Sequence, residues 1–338
     1  MATKKRGLGK SLDVLIEENT ATEAQSKYTE AFEKRALASG EMKVKISLVV
    51  PNADQPRKIF DKAALEELTA SVKEYGVLDP LLVRKKGDTY YFIYSSQVCH
   101  ELCYATSNKP DGDFVYRGVL ISNGDMGIDS YKRIDMPGMY CANNHGSIVE
   151  ILGDWYIFYH RHTNGTNYSR QGCFEKLTPD GDILFKQAEI TSCGGFPLAG
   201  KGEYPTYIAC NLFTDTEMLF MPWSGWIDDR FPKITQEGGD GDERNGYIAN
   251  MRESATAGFK YFNCKGITSV TIRTKGYANG KMEIKTAWNG EVLGTIPIGY
   301  ANVWHDTKAD IAIPDGINSL YFTYRGDGHL QFAAFILD

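Results

Sequence analysis

The pattern of this chain changes at one place, and no single fold accommodates both sides of it. The change falls within Val83-Arg84-Lys85-Lys86-Gly87-Asp88-Thr89-Tyr90-Tyr91. Upstream, Lys43 to Val50 alternates as a strand, with Val44, Ile46 and Leu48 on one face. A turn follows at Pro51-Asn52-Ala53-Asp54-Gln55-Pro56. Asp61 caps a predicted helix from Lys62 to Tyr75, whose Ala64, Leu65, Leu68 and Val72 keep helical spacing, and Gly76 suits its end. Leu81-Leu82-Val83 reads as a second strand. Downstream, short strands are separated by Gly, Asn, Asp and Pro turns. Strands are predicted at 90–94, 114–121, 147–152, 155–159 and 207–212. From about Ile227 the spacing lengthens, with strands at 258–262, 269–274, 281–287, 291–298, 304–311, 319–325 and 329–337. The alternation Met282-Ile284-Thr286 and Leu320-Phe322-Tyr324 is that of half-buried antiparallel sheet.

Composition narrows the classes. A chain of 338 residues, 42% hydrophobic and 24% charged, is globular and long enough for two or three cores. The formal net charge is -6, and the basic start, Lys4-Lys5-Arg6 with Lys10, is too short to make the whole chain a nucleic-acid binder. Most of the 20 Tyr, 16 Phe and 5 Trp follow Tyr90. Sugar-binding proteins use aromatics this way, and so do ordinary β cores. The seven cysteines show no Cys-x-x-Cys spacing, which argues against zinc, and their odd number points weakly to a reducing compartment. The first residues lead into Gly7-Leu8-Gly9-Lys10-Ser11 with no apolar run, so neither a signal peptide nor a membrane span is expected, and the chain as written is expected in the cytoplasm.

The upstream residues resemble the N-terminal region of ParB-type chromosome-partitioning proteins. The resemblance rests on Arg6-Gly7-Leu8-Gly9-Lys10-Ser11-Leu12, Gln55-Pro56-Arg57-Lys58-Ile59-Phe60, Ser71 to Leu78 and Pro80-Leu81-Leu82-Val83-Arg84. It implies a CTP site at the turn bearing Arg57, but the family's later Gly-Glu-Arg-Arg loop and helix-turn-helix have no counterpart in this sequence. Phosphate binding needs several converging donors, so Arg57 alone is an incomplete site and no DNA binding is expected. The function this fragment could keep is contact of residues 1–15 with a ParA-type ATPase.

The next segment resembles the last blades of glycoside hydrolase family 43, the arabinofuranosidases and xylosidases. The matching runs are Gly87 to Ser96, Leu102 to Ser107, Asn144-His145-Gly146-Ser147-Ile148, Trp155 to Arg161 and Ser169-Arg170-Gln171. The resemblance implies part of a five-bladed β-propeller. It makes His145 the axial histidine facing a water- or calcium-filled centre, with a partly buried turn histidine as the plain alternative. It makes Arg170 an active-site arginine. Inverting glycosidases need a carboxylic acid and a carboxylate base on opposite sides of the bond. The family's base and tuning aspartates have no counterpart here, and its acid glutamate position is held by Asp79, one methylene shorter. Enzyme activity is therefore in doubt: Asp79 is at best a vestigial general acid. His160-Arg161-His162 and the carboxylates Glu150, Asp154 and Glu189 read as solvated surface.

The last segment resembles the family 6 carbohydrate-binding module, through Gly246-Tyr247-Ile248, Ala257 to Phe262, Trp304, Ile313-Pro314-Asp315-Gly316 and Leu320 to Tyr324. The resemblance implies a β-sandwich that grips sugar between two aromatic rings, here Tyr247 and Trp304, with Gln331 as the polar partner. The apolar face of a pyranose stacks on a flat ring while its hydroxyl edges seek hydrogen bonds. Tyr247 and Trp304 read equally well as ordinary core or rim aromatics. Asp240, Asp242 and Glu243 form a Gly-rich acidic loop, either a calcium site or simply solvated.

The expected organisation is thus mostly β: a flexible basic start and tether over 1–40, a small α/β ParB-like fragment over 41–90, a partial propeller over 84–226 and a β-sandwich over 227–338. The expected function is binding of xylan or arabinoxylan with catalysis impaired or lost; the alternatives are an active O-glycosyl hydrolase and a partition fragment. The sandwich is expected to be separable, with the partial propeller as the weak part. Calcium is the only cofactor suggested.

Overall fold

A computed structural model describes residues 83–338 except 97–99, 129–137, 141, 167, 216–226 and 239–245, together with Lys62, Glu66, Thr69 and Ala70 upstream. Those four upstream residues are helical, as the spacing over 62–75 predicts. The chain divides into two compact units, Met1–Leu68 and Thr69–Asp338. The second is almost wholly β, as expected. Asp79, Arg57 and residues 1–15 lie outside the described residues, as do Asp240, Asp242 and Glu243.

Two small antiparallel sheets stand where the partial propeller is expected. The first runs in order through β1 (Val83–Lys86), β2 (Thr89–Ser95), β3 (Glu101–Ser107) and β4 (Val115–Ser122). The second is β5 (Gly146–Ile151), β6 (Asp154–Thr163) and β7 (Ser169–Leu177), followed by a short hairpin, β8 (Pro179–Asp180) with β9 (Leu184–Phe185). Alternate residues such as Tyr91, Leu102, Tyr104, Ile148, Trp155 and Ile157 point into one shared core. Tyr91, Trp155 and Phe185 pack there at 5.8–6.1 Å between ring centres.

The remaining ten strands form one hydrogen-bonded network. It contains β10 (Leu198–Ala199), β11 (Gly202–Pro205), β12 (Asn211–Phe213), β13 (Lys233–Gln236) and β14 (Gly246–Met251). It continues through β15 (Thr256–Cys264), β16 (Val270–Lys285), β17 (Gly294–Ile298), β18 (Ala301–Ala309) and β19 (Gly316–Leu337). Its inward side chains build a second core around Phe259, Phe322, Phe332 and Phe335.

Three features depart from the sequence expectation. The predicted strand over 207–212 is a single 3-10 turn, Thr206–Ile208, followed by β12. The predicted strands at 269–274 and 281–287 are one strand, β16, and those at 319–325 and 329–337 are one strand, β19. The glycines between them read as turns in sequence. In the fold they let two backbones meet: a Cβ at Gly280 would lie 2.1 Å from the Arg325 carbonyl oxygen, and one at Gly328 would lie 1.9 Å from that of Tyr277. The ladder from Val270↔Leu337 to Lys285↔Tyr321 therefore runs through them. Finally, β10 and β12 pair with β15, and β11 pairs with β19. Backbone pairing thus crosses the border expected at 226/227, because strands from 198–213 complete the C-terminal sheet.

Candidate functional site

β14, β16, β18 and β19 present their alternate residues on the face opposite the core. That face carries Tyr247 from β14, Arg273 and Lys275 from β16, Trp304 and Asp306 from β18, and Gln331 from β19. The sequence-predicted pair is brought together: the Tyr247 and Trp304 rings lie 5.4 Å apart at 68°. This is an edge-to-face contact, which aromatic quadrupoles favour. The two rings touch, so they form the wall of a site rather than a parallel clamp with a gap. They border a cavity of about 280 Å³ that Glu203, Pro205, Glu237 and Arg273 also line.

The polar groups around the rings were missed in the sequence. The Arg273 guanidinium donates from Nε and Nη2 to both oxygens of Asp306, at 2.8 and 3.0 Å, and from Nη1 to Glu203 Oε1 at 2.6 Å. Such a fork fixes its orientation. Lys275 Nζ stands 4.5 Å over the centre of the Trp304 ring and donates to Glu237 Oε1 at 2.8 Å. Gln331 is the register partner of Lys275 on the neighbouring strand, and its Oε1 is buried without a hydrogen-bond partner. The three predicted residues thus share one face, with charged side chains interleaved. The available signal was the alternation Arg273-x-Lys275-x-Tyr277, which puts three long side chains on the face of Trp304.

His145 and Arg170, expected separately, both meet His160. His145 is exposed and stacks on His160 at 5.5 Å, and His160 meets His162 at 5.7 Å. Exposed Arg170 donates from Nε to His160 Nε2 at 3.0 Å and from Nη2 to Asn143 Oδ1 at 3.4 Å. The expectation that Arg161 and His162 are solvated is corrected. They are 4% and 1% exposed: Arg161 shares the core face of β6 with Ile157 and Tyr159, while the opposite face, with Phe158 42% exposed, is covered locally at His162. Arg161 donates to the carbonyls of Ala209 and Tyr207 and to Gln171 Oε1. Both ring nitrogens of His162 are unpartnered. Burial, then the charges of Arg170 and His160, push its pKa down to about 4, so it is neutral at pH 7. Calcium wants six to eight oxygen ligands. Beside His145 stands the His160 imidazole, which Arg170 links to the Asn143 amide oxygen. Among the described residues no cluster of three His, Cys, Asp or Glu side chains is arranged to hold a metal.

A third constellation joins the small sheets to the large one. Lys260 of β15 is buried and reaches Asp125 Oδ2 at 3.2 Å and Glu189 Oε1 at 2.8 Å. Asp125 also accepts from the Ile190 amide at 2.8 Å, and Glu189 Oε2 from Tyr261 Oη at 2.7 Å. Glu189, read as a surface carboxylate, is therefore a corrected expectation: its partner lies 71 residues away in sequence. Burial opposes charge on Lys260, but the Asp125 and Glu189 carboxylates outweigh it and hold the ammonium protonated. Nearby Glu175, 1% exposed, accepts from the Thr191 amide and hydroxyl, both at 2.7 Å. Burial nonetheless pushes its carboxyl up to about 8.

Glu175 gives a pH prediction. A carboxyl whose folded pKa lies near 8, above the ordinary 4.5, holds its proton in the folded state across that window. Its contribution is fully present below about pH 4.5 and is lost as the pH rises toward 8, by about 1.4 kcal/mol per pH unit. Thermal melts from pH 5 to pH 8 should show the wild type losing stability relative to Glu175→Gln. Parallel curves would mean that Glu175 is ionised throughout.

Comparison with known proteins gives two separate likenesses. Residues 30–96 match the ParB N-terminal domain. The ParB chromosome-partitioning protein of Myxococcus xanthus is 41% identical over 90 residues, 27% of this chain and 28% of that protein. The remainder is like a different class. A xylosidase/arabinosidase of Thermoclostridium stercorarium is 61% identical over 258 residues, 75% of this chain and 54% of that protein. Among solved structures, a family 6 carbohydrate-binding module from Clostridium cellulolyticum in complex with xylose matches at 14% identity and a TM-score of 0.33, covering 42% of this chain and 99% of that one. The chain spans about half the length of the xylosidase/arabinosidase and about a quarter of the ParB protein. It is a chimeric arrangement: a ParB-like start joined to a segment homologous to xylosidase/arabinosidase. No helix among the described residues is long and apolar enough to cross a membrane.

Proposed function

We propose that this chain binds xylan or arabinoxylan through the outer face of its C-terminal sheet and does not cleave it. The observation that carries the reading is the contact between Tyr247 and Trp304 beside a cavity edged by hydrogen-bonding side chains. A flat ring serves the apolar face of a sugar, and Glu203, Glu237, Arg273 and Gln331 serve its hydroxyls. Loss of cleavage is supported by the chemistry of the carboxylates. Asp125 and Glu175 are buried and engaged by their own neighbours, Glu189 is ion-paired, and only Asp79 corresponds to a family catalytic position. General acid and base groups contribute about 10²–10⁴-fold each, so a site lacking its base should be silent. Hydrolysis of an aryl arabinofuranoside should match a buffer blank, and Asp79→Asn should change nothing.

The match of residues 30–96 to the ParB N-terminal domain favours a second, independent reading of the start of the chain. Residues 1–15 would engage a ParA-type ATPase as a basic peptide. Adding the full chain to such an ATPase with DNA should raise its turnover, and Lys10→Ala should remove the effect. No stimulation by the wild type would end this reading.

A further inference from the structure

The aromatic surface does not stop at Trp304. Two residues beyond Lys275 on β16, Tyr277 is 68% exposed, and Tyr300, in the β17–β18 turn, is 58% exposed. Their rings lie 4.7 Å apart at 54°. Neither ring belongs to a core. Strand geometry fixes where they lie: Tyr277 shares the face of Lys275, about 7 Å further along β16. The register confirms it, since Lys275 pairs with Gln331 and Tyr277 with His329 on β19. Along one face Tyr247, Trp304 and Lys275 therefore form one cluster, and Tyr277 with Tyr300 follows.

We propose that this face is one extended saccharide-binding strip, in which Tyr277 and Tyr300 form a second aromatic platform and the ligand is a run of several sugar units rather than a single chain end. The inference rests on the reading of Tyr247 and Trp304 as a sugar site and extends it. Strand geometry places Tyr277 about 7 Å beyond Lys275, whose ammonium lies over the Trp304 ring, so the second pair continues directly from the first. Between the two pairs of rings Lys275, bonded to Glu237, supplies a polar group. A sugar chain presents this same alternation, an apolar ring face followed by hydroxyl and ring oxygens. A protein partner is disfavoured by the chemistry of the strip. The ammonium of Lys275 lies within it, paired with Glu237, and charged residues are depleted from the cores of protein–protein interfaces.

The test is calorimetric titration of the full chain with xylohexaose and with xylobiose. Variants are Tyr277→Ala/Tyr300→Ala, Tyr277→Phe/Tyr300→Phe and Trp304→Ala. Both tyrosines are exposed, so the double alanine variant should melt like the wild type. It should bind xylohexaose about tenfold or more weakly while xylobiose stays within about twofold. The phenylalanine variant, which keeps the ring faces, should bind both sugars like the wild type. Unchanged xylohexaose affinity in the double alanine variant, with binding still lost in Trp304→Ala, overturns the strip and leaves the primary site standing. Equal weakening for both lengths overturns it too, since a second platform should not touch a disaccharide. A wild type that binds neither sugar overturns the underlying reading and the strip with it.

Discussion

Lys260→Ala should destabilise the chain by about 3–5 kcal/mol, the expected cost of removing one partner from a buried ion pair. The Lys260 side chain is 1% exposed and that of Asp125 is 0% exposed. Removing the ammonium leaves the Asp125 carboxylate in a dry interior with only the Ile190 amide and the Asn211 side chain to stabilise its charge. The Glu189 carboxylate loses its nearest cation as well. Because the pair ties β15 to the loop after β4, the loss should appear as earlier unfolding of the small sheets together with the large one. Urea unfolding followed by tryptophan fluorescence measures it. Restoring electrical balance with Lys260→Met/Asp125→Asn should recover part of the loss. A single variant within about 1 kcal/mol of wild type would show that the pair is not buried in solution.

The second large effect is on binding. Trp304→Ala should abolish retardation of the chain in a gel containing arabinoxylan. Trp304 supplies the largest ring of the face, supports Tyr247 edge-on at 5.4 Å and carries the Lys275 ammonium at 4.5 Å. Its removal takes away the stacking surface and frees both neighbours to move, so the loss should exceed that of a single contact. Trp304 is half-buried on the outer face and outside the core, so the variant should keep its cooperative melt. Retardation equal to wild type would place sugar binding elsewhere on the chain.

What was legible in the sequence was local. The positions of β2, β4 and β5 could be read from short runs of β-branched and aromatic residues bounded by turn residues, because such runs are a property of neighbours. Tyr247 and Trp304 were legible through their resemblance to a known module. What was not legible depends on distant chain. Gly276, Gly280, Gly326 and Gly328 read as strand ends, and only the pairing of β16 with β19 shows that they keep one ladder continuous. Asp125 sits in Gly124-Asp125-Met126-Gly127, the composition of a solvated turn, and Lys260 looks like a surface lysine in an aromatic strand. Their partnership spans 135 residues, beyond the reach of any periodicity. His162 misled for a related reason: a polar strand residue reads as solvated until the chain that covers that end of its strand is seen. The border expected at 226/227 was drawn from Pro and Asp content, which marks loops but not which sheet the preceding strands join.

The central claim is binding without cleavage, and one experiment addresses both halves. The full chain is incubated with insoluble arabinoxylan and pelleted; protein in the pellet and sugar released into the supernatant are then measured together. Wild-type protein should be in the pellet and Trp304→Ala protein in the supernatant, with released arabinose and xylose equal to the blank for both. Sugar release by the wild type that Asp79→Asn removes would contradict it, and so would wild-type protein that stays wholly in solution.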